Sequence, residues 1–359
     1  MLSAWRTSIV AALLALTVGC SDALAKPYLP PPHKRYHGVS DTDEIPHFKK
    51  FARQVRAHPA VLQEFFHWDV SLSASGAIHR WKRTHTLGMV SLSTKLPASG
   101  KPQISTEAIA KGRGDRYILR INEVLGNRVP KRPTYIRLMP EMNGHWNPYS
   151  AYNANGTRRG GNHTTNDFKR AWRRIVLIAR GGSRLKVNKR LRRNNLSRIY
   201  RARSNHSRIY DRKDVPKILE KPKIAFLWVP QSFGSPNIAG NQPVNYYPGR
   251  NFVDWVGIDI FSKFQSAFDN MVGFYNRWDD HPFMIGEYSP WDGDPGGAFT
   301  DRLADFVEDH RRARMMVYYR SVSAHNQYAI GRYPAAKRQL RRHLNKATWD
   351  EHGPHTRGR

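Results

Sequence analysis

The chain has 359 residues, enough for one domain of barrel size with insertions or for two ordinary domains. Hydrophobic residues at 40% and aromatics at 11% supply a real core and exclude a fully disordered chain. Lysine and arginine total 59 against 28 acidic residues, a formal net charge of +31, so polyanions should be drawn to the surface.

The N-terminus reads as an export signal over residues 1–25. Arg6 precedes the apolar run Ile9 to Val18, and Ala23-Leu24-Ala25 offers a small-x-small cleavage site before Lys26. The run is too short for a bilayer span of roughly twenty residues. The only cysteine, Cys20, follows Thr17-Val18-Gly19, which opens a second fate: lipidation at Cys20 in place of cleavage after Ala25. Cleavage after Ala25 would give a secreted or periplasmic protein without any thiol.

Residues 26–35 are a proline-rich linker, expected to be extended and mobile. Strand-length apolar runs then alternate with helical patterns. Tyr36 to Val39, Phe65 to Leu72, Leu87 to Leu92 and Tyr135 to Met139 are the first four strand candidates. Lys223 to Val229, Phe252 to Ile260, Pro282 to Glu287 and Arg314 to Tyr319 complete the series. Helical spacing marks Ile45 to Ala57, Asp167 to Arg180 (capped by Asn166 or Asp167), Ala267 to Trp278 and Phe299 to His310. Eight such units imply a parallel sheet with both faces covered. A closed (β/α)8 TIM barrel over residues 36–335 is the economical solution. An open doubly wound sheet would need a glycine-rich phosphate loop after its first strand, and none is present.

Two segments stand outside this pattern. Residues 183–221 carry fourteen Lys or Arg residues and read as a basic insertion before the fifth strand, at the bottom of the barrel, partly helical or disordered, and either solubilising or contacting an anionic polymer or cell surface. Residues 336–359 read as a basic C-terminal tail.

Glycoside hydrolysis needs two carboxyl groups about the scissile bond, and barrel enzymes carry such groups at the C-terminal ends of strands. Glu141, after Tyr135-Ile136-Arg137-Leu138-Met139-Pro140, and Glu287, after Pro282-Phe283-Met284-Ile285-Gly286, meet that demand. Arg137 and Met139 share the inward face with Glu141 by alternation, so Arg137 either holds a carboxylate ionised or makes a structural ion pair. Trp146, Trp228 and Trp291 end or follow strands and either stack on sugar rings or pack the rim. Asn143, Tyr288 and Asp259 are candidate hydrogen-bonding neighbours, and Trp68, with Asp69, is a candidate at the second strand's end. The histidines are scattered and no His-Glu-x-x-His is present, so no metal or other cofactor is expected; His145 and His163 read as loop residues.

The segment Arg137-Leu138-Met139-Pro140-Glu141-Met142-Asn143-Gly144-His145-Trp146 resembles the acid/base signature of glycoside hydrolase family 26, the β-mannanase family. Ile285-Gly286-Glu287-Tyr288 resembles its nucleophile strand, Phe226 to Pro230 its fifth strand and Tyr247 to Asp259 its sixth. The resemblance runs in order from Tyr36 to Tyr319. It implies a retaining endo-glycosidase in which Glu141 protonates the leaving oxygen and Glu287 forms a glycosyl-enzyme. Once glycosylated, Glu287 loses its charge, which lets Glu141 give up its proton and act as base. One departure is Pro140, where the family has His. The implied partner is a polysaccharide, β-1,4-mannan first, with mixed-linkage glucan, xylan or an acidic exopolysaccharide open. A monomer is expected, and nucleic acid is not, since no nucleic-acid motif appears. A rival reading is a polyanion-binding barrel with little or no catalysis.

Overall fold

The computed structural model describes residues 27–40, 44–95, 103–129, 131–199, 215–321 and 327–352. The expected export signal and Cys20 lie outside the described residues, as does the middle of the basic segment.

Eight strands form the barrel: β1 (Arg35–Ser40), β2 (Val61–His67), β3 (Leu87–Ser93), β4 (Thr134–Leu138), β5 (Ile224–Trp228), β6 (Trp255–Phe261), β7 (Phe283–Ser289) and β8 (Ala313–Tyr318). All are parallel, each pairs with its neighbour in chain order, and β8 pairs back onto β1 at Tyr36↔Met315, which closes the barrel. Strand alternation sends Tyr36, Val61, Leu87, Met89, Tyr135, Leu227, Trp255 and Met315 into the barrel, where they form its inner apolar core. The intervening residues, such as Leu62, Ile136, Phe226 and Ile285, face outward into the larger core beneath the helices.

The principal helices are α1 (Ile45–Val55), α2 (Ala77–Arg83), α3 (Asp115–Arg128), α4 (Thr165–Ala179), α5 (Arg184–Arg193), α6 (Met271–Arg277), α7 (Ala298–Asp309) and α8 (Pro334–Leu344). α4 starts before the expected cap: the Thr164 hydroxyl accepts from the Asp167 amide at 3.0 Å, leaving Asn166 and Asp167 inside the first turn.

Four expectations need correction. The second strand lies at Val61–His67, not Phe65 to Leu72. Its polar Gln63 and Glu64 hid it, because one points into the barrel and the other pairs with Arg80. The linker is not free: the Pro27 carbonyl accepts from the Trp255 indole at 2.6 Å and the Tyr28 carbonyl from the Tyr135 hydroxyl at 2.6 Å. Arg314 donates to the Pro31 carbonyl at 2.8 Å and, through Nε, to that of Lys34 at 2.8 Å, so residues 27–34 form a strap across the barrel floor. The basic insertion begins at the floor but climbs the outside of α4. Its helix α5 buries Val187 and Leu191, and the Ser197 carbonyl accepts from Arg174 at 2.8 Å. The C-terminal residues are not a plain tail. α8 buries Ala336, Leu340, His343 and Leu344, and the short strand β9 (Trp349–Asp350) pairs with the start of β1.

Candidate active site

One layer below the mouth, the barrel interior turns from apolar to polar. Gln63 of β2, Ser91 of β3, Arg137 of β4, Asp259 of β6 and Glu287 of β7 are all buried there. Arg137 sits at the centre. Its Nη1 donates to Glu287 Oε1 at 2.5 Å and to the Ser91 hydroxyl at 3.3 Å, and its Nη2 donates to Asp259 Oδ2. Gln63 Nε2 donates to the same Glu287 oxygen at 3.1 Å.

Glu287 reaches this layer through an irregularity. Ile258 of β6 pairs with Ile285, but Asp259 pairs with Glu287, so Gly286 is an extra residue in β7. A Cβ on Gly286 would stand 2.6 Å from Asp259 Oδ1, 2.7 Å from Val229 Cγ1 and 3.2 Å from Arg137 Nε. Glycine is required there so that the arginine and the two carboxylates can meet.

Glu141 lies beyond the end of β4, in a segment where Met139 (φ 42°) and Glu141 (φ 51°) both adopt left-handed backbone. Such residues cost about 1–3 kcal/mol each and persist only where surrounding bonds fix them. The Met139 amide donates to the Leu92 carbonyl at 2.7 Å and the Glu141 amide to the Val229 carbonyl at 2.7 Å, tying the segment to β3 and to the residue after β5. Alternation stops here. Met139 therefore packs in the outer core and does not share the inward face of Arg137.

Both oxygens of Glu141 accept N–H donors: Oε1 from the Gln231 side-chain Nε2, Oε2 from the Trp146 indole at 2.8 Å. Gly144 makes room for that indole, since a Cβ would lie 2.5 Å from Trp146 Cζ2. Trp146 remains 43% exposed and offers a ring to the mouth beside the carboxylate.

The electrostatics follow from one guanidinium facing three carboxylates. Burial works against the Arg137 charge, but Asp259, Glu287 and Glu141 outweigh it and the group is held firmly protonated. Burial pushes Asp259 well above the usual carboxyl range, with Arg137 opposing and the charges of Glu287 and Glu141 adding to the rise. Glu287 is pushed up to about 7, by burial first; Arg137 lowers it, the Glu141 charge raises it, and the bonds from Gln63 and Arg137 lower it. Of the cluster, Glu287 is thus the carboxyl whose pKa is brought close to neutrality.

The structure brings Glu141, Glu287, Arg137, Asp259 and Trp146 together. Other candidates go elsewhere. Trp228 is fully buried on the outer face of β5, edge-on to Trp278 at 4.9 Å, and Trp68 is buried against Tyr117 at 4.8 Å. Neither ring can meet a sugar. Asn143 is buried and braces the loop after β5: its Nδ2 donates to the Gln231 and Phe233 carbonyls at 3.1 Å, and its Oδ1 accepts from the Gln231 amide at 2.8 Å. It thus positions Gln231. Tyr288 turns outward to His37, 2.7 Å from Nε2. Trp291 stays at the rim, in a line of edge-to-face rings that runs Phe65, Tyr319, Phe261, Trp291, Phe264 with centroids 6.1, 5.8, 5.6 and 5.4 Å apart. Gln63 and Gln231 were missed by sequence reasoning. The signal for Gln63 was a lone amide at an inward strand position; Gln231 carried none.

Among the described residues, the group of acidic and imidazole side chains close enough to hold a metal is Asp301, Asp305 and His343, between α7 and α8 and far from Glu141 in the fold.

No protein-family model matches the chain, and neither does any curated protein sequence. Solved structures do. The modular endo-β-1,4-mannanase of Cellulomonas fimi superposes with a TM-score of 0.57 at 12% identity, over 92% of this chain and 76% of that one. A family 26 β-mannanase from Bacteroides ovatus gives 0.54 at 12%, over 90% and 92%, and a Bacillus subtilis mannanase gives 0.52 at 14%, over 90% and 88%. The chain has the barrel fold seen in glycoside hydrolase family 26 β-mannanases.

Proposed function

We propose that this chain is an exported, retaining endo-glycosidase of a β-linked polysaccharide, with β-1,4-mannan as first-choice substrate. The observation that carries the reading is the pair Glu141, just beyond β4, and Glu287, in the C-terminal half of β7, joined electrostatically through the buried Arg137. Two carboxyl groups in one mouth, on a fold shared with mannanases, are what glycoside hydrolysis requires.

Glu287, oriented by Gln63 and Arg137, attacks the anomeric carbon, forming an ester while the glycosidic C–O bond breaks. Glu141 delivers its proton to the departing oxygen, then takes one from the water that cleaves the ester. Retention calls for a carboxyl separation of about 5–5.5 Å. Asp259 and Arg137 hold the charge balance of the cluster, and Trp146, Trp291 and the rim aromatics supply flat faces for successive sugar rings. Where the family has His before the acid, Pro140 offers no side-chain donor; Gln231 and Trp146 supply the donors to Glu141 here.

The test is reducing-sugar release from β-mannan, mixed-linkage glucan, xylan and acidic bacterial polysaccharides, by wild type and by Glu287→Ala. Release by wild type that falls on the order of 10⁴-fold or more in the variant is expected. Equal release by both would exclude Glu287 as nucleophile. Silence of a folded wild type across the panel would favour a polyanion-binding barrel, for which the +31 net charge is the supporting observation.

A further inference from the structure

The catalytic mouth lies at the C-terminal ends of the strands, and the opposite face, the floor, carries a second unusual surface. Beneath β4 and β5 a two-residue ribbon pairs Gly182–Ser183 with Ile218–Leu219 antiparallel. Asn122 of α3 fixes the ribbon, donating to the Ala179 carbonyl at 2.9 Å and the Glu220 carbonyl at 2.8 Å. Beside it are the two most exposed large apolar side chains among the described residues, Leu185 (79%) and Ile218 (71%). They are close along the ribbon: Ser183 pairs with Ile218, and the Arg184 amide donates to the Lys217 carbonyl at 2.9 Å.

Lysines flank this apolar pair: Lys186 and Lys217 are its chain neighbours, and Lys221 lies against Gly182 of the ribbon. All three are exposed, and none of them is in an ion pair among the described residues. Over residues 183–199 and 215–221 there are nine Lys or Arg residues against one acid, Glu220. A solubilising patch has no use for bare leucine and isoleucine, and a polyanion site in water gains nothing from them. Apolar side chains flanked by lysine are the pattern of a surface that enters a lipid interface.

The strap points the same way. From Pro27 the contacts run to Trp255 and through the adjacent Asp254 to Arg180, whose Nη2 donates to Asp254 Oδ2 at 2.9 Å, just before the ribbon. The chain therefore enters the floor next to the basic sector.

We propose that this sector of the floor docks on an anionic phospholipid bilayer, with Leu185 and Ile218 entering the acyl boundary and the lysines meeting lipid phosphates, so that the mouth faces away from the membrane. The proposal is independent of the catalytic reading.

Residues 27–352 hold the whole barrel with its strap, so the chain from Lys26 tests this face without the apolar run. Sedimentation with vesicles of phosphatidylcholine alone and of phosphatidylcholine mixed equally with phosphatidylglycerol should show binding to the second only. Each cation contributes about fivefold at an anionic surface, so Lys186→Glu with Lys217→Glu should weaken it at least about twenty-fivefold. Leu185→Ser with Ile218→Ser should also weaken it, with the circular dichroism spectrum unchanged. With no cysteine left after Lys26, Ile218→Cys and Phe264→Cys each take a single environment-sensitive dye. On anionic vesicles the dye at 218 should shift to the blue and the dye at 264, at the mouth, should not. Binding unaffected by the serine pair, or a shift at 264 and not at 218, would overturn the proposal. So would binding to soluble alginate as tight as to vesicles, which would assign the patch to acidic polysaccharide.

Discussion

As the proposed nucleophile, Glu287 would attack only as the anion; burial pushes its pKa up to about 7, with Arg137 and Gln63 opposing the rise and the Glu141 charge adding to it. Each neighbour predicts a direction. An aryl glycoside with a good leaving group needs no proton from Glu141, so kcat/KM for it should rise with pH through about 7 as Glu287 ionises. Glu141→Gln removes a negative charge that raises Glu287, so this acidic limb should move to lower pH. Gln63→Ala removes a donor that favours the anion, so the limb should move to higher pH. Shifts of the same sign in both variants would contradict the arrangement. Gly286→Ala tests the bulge beside them. Its Cβ must displace Arg137, Asp259 or Val229, at a cost of about 1–3 kcal/mol for overpacking. Reducing-sugar assays should show activity lost out of proportion to any change in the urea midpoint.

At the scale of elements, sequence and structure agree where alternation continues and part where it stops. The inward positions of Arg137 and Asp259 follow from counting by twos along β4 and β6, and Glu141 and Glu287 were legible as carboxylates at strand ends. Trp228 was not legible as a core residue, because it is the last residue of β5, and outward or mouth-facing depends on where the strand ends. The extra residue at Gly286 depends on the register with β6, which no single segment encodes. The strap escaped for a related reason: its bonds are from backbone carbonyls of a proline-rich run to side chains more than a hundred residues away. It should matter to stability and not to chemistry. Tyr28→Ala removes a ring that packs on the inner core and should cost about 1–3 kcal/mol. The measurement is urea denaturation, where the midpoint should fall while kcat per folded molecule stays unchanged.

For the whole molecule, the question is what keeps an eight-stranded barrel closed at the β8–β1 seam. α8 and β9 follow β8 and return to β1, so the seam is clamped from outside. The clamp is electrostatic at its centre. His343 of α8, fully buried, lies between Asp301 Oδ1 at 2.7 Å and Glu308 Oε1 at 2.9 Å of α7. Arg342 reaches Asp301, and Lys346 reaches Glu308 Oε2 at 2.5 Å. Burial alone would raise both carboxyls, but for Asp301 the His343 and Arg342 contacts prevail, and for Glu308 those of Lys346, Trp349 and His343, so both sit below the ordinary range. A depressed carboxyl contributes stability that is present above its unfolded pKa and is lost as pH falls through the folded value. Thermal unfolding should thus show stability falling as acid protonates the clamp. Asp301→Asn with Glu308→Gln should lower stability at neutral pH and flatten that acid dependence. If the double variant kept the full acid dependence of the wild type, carboxylates elsewhere would govern it, and the seam would owe its closure to the apolar contacts of Leu340 and Leu344 alone.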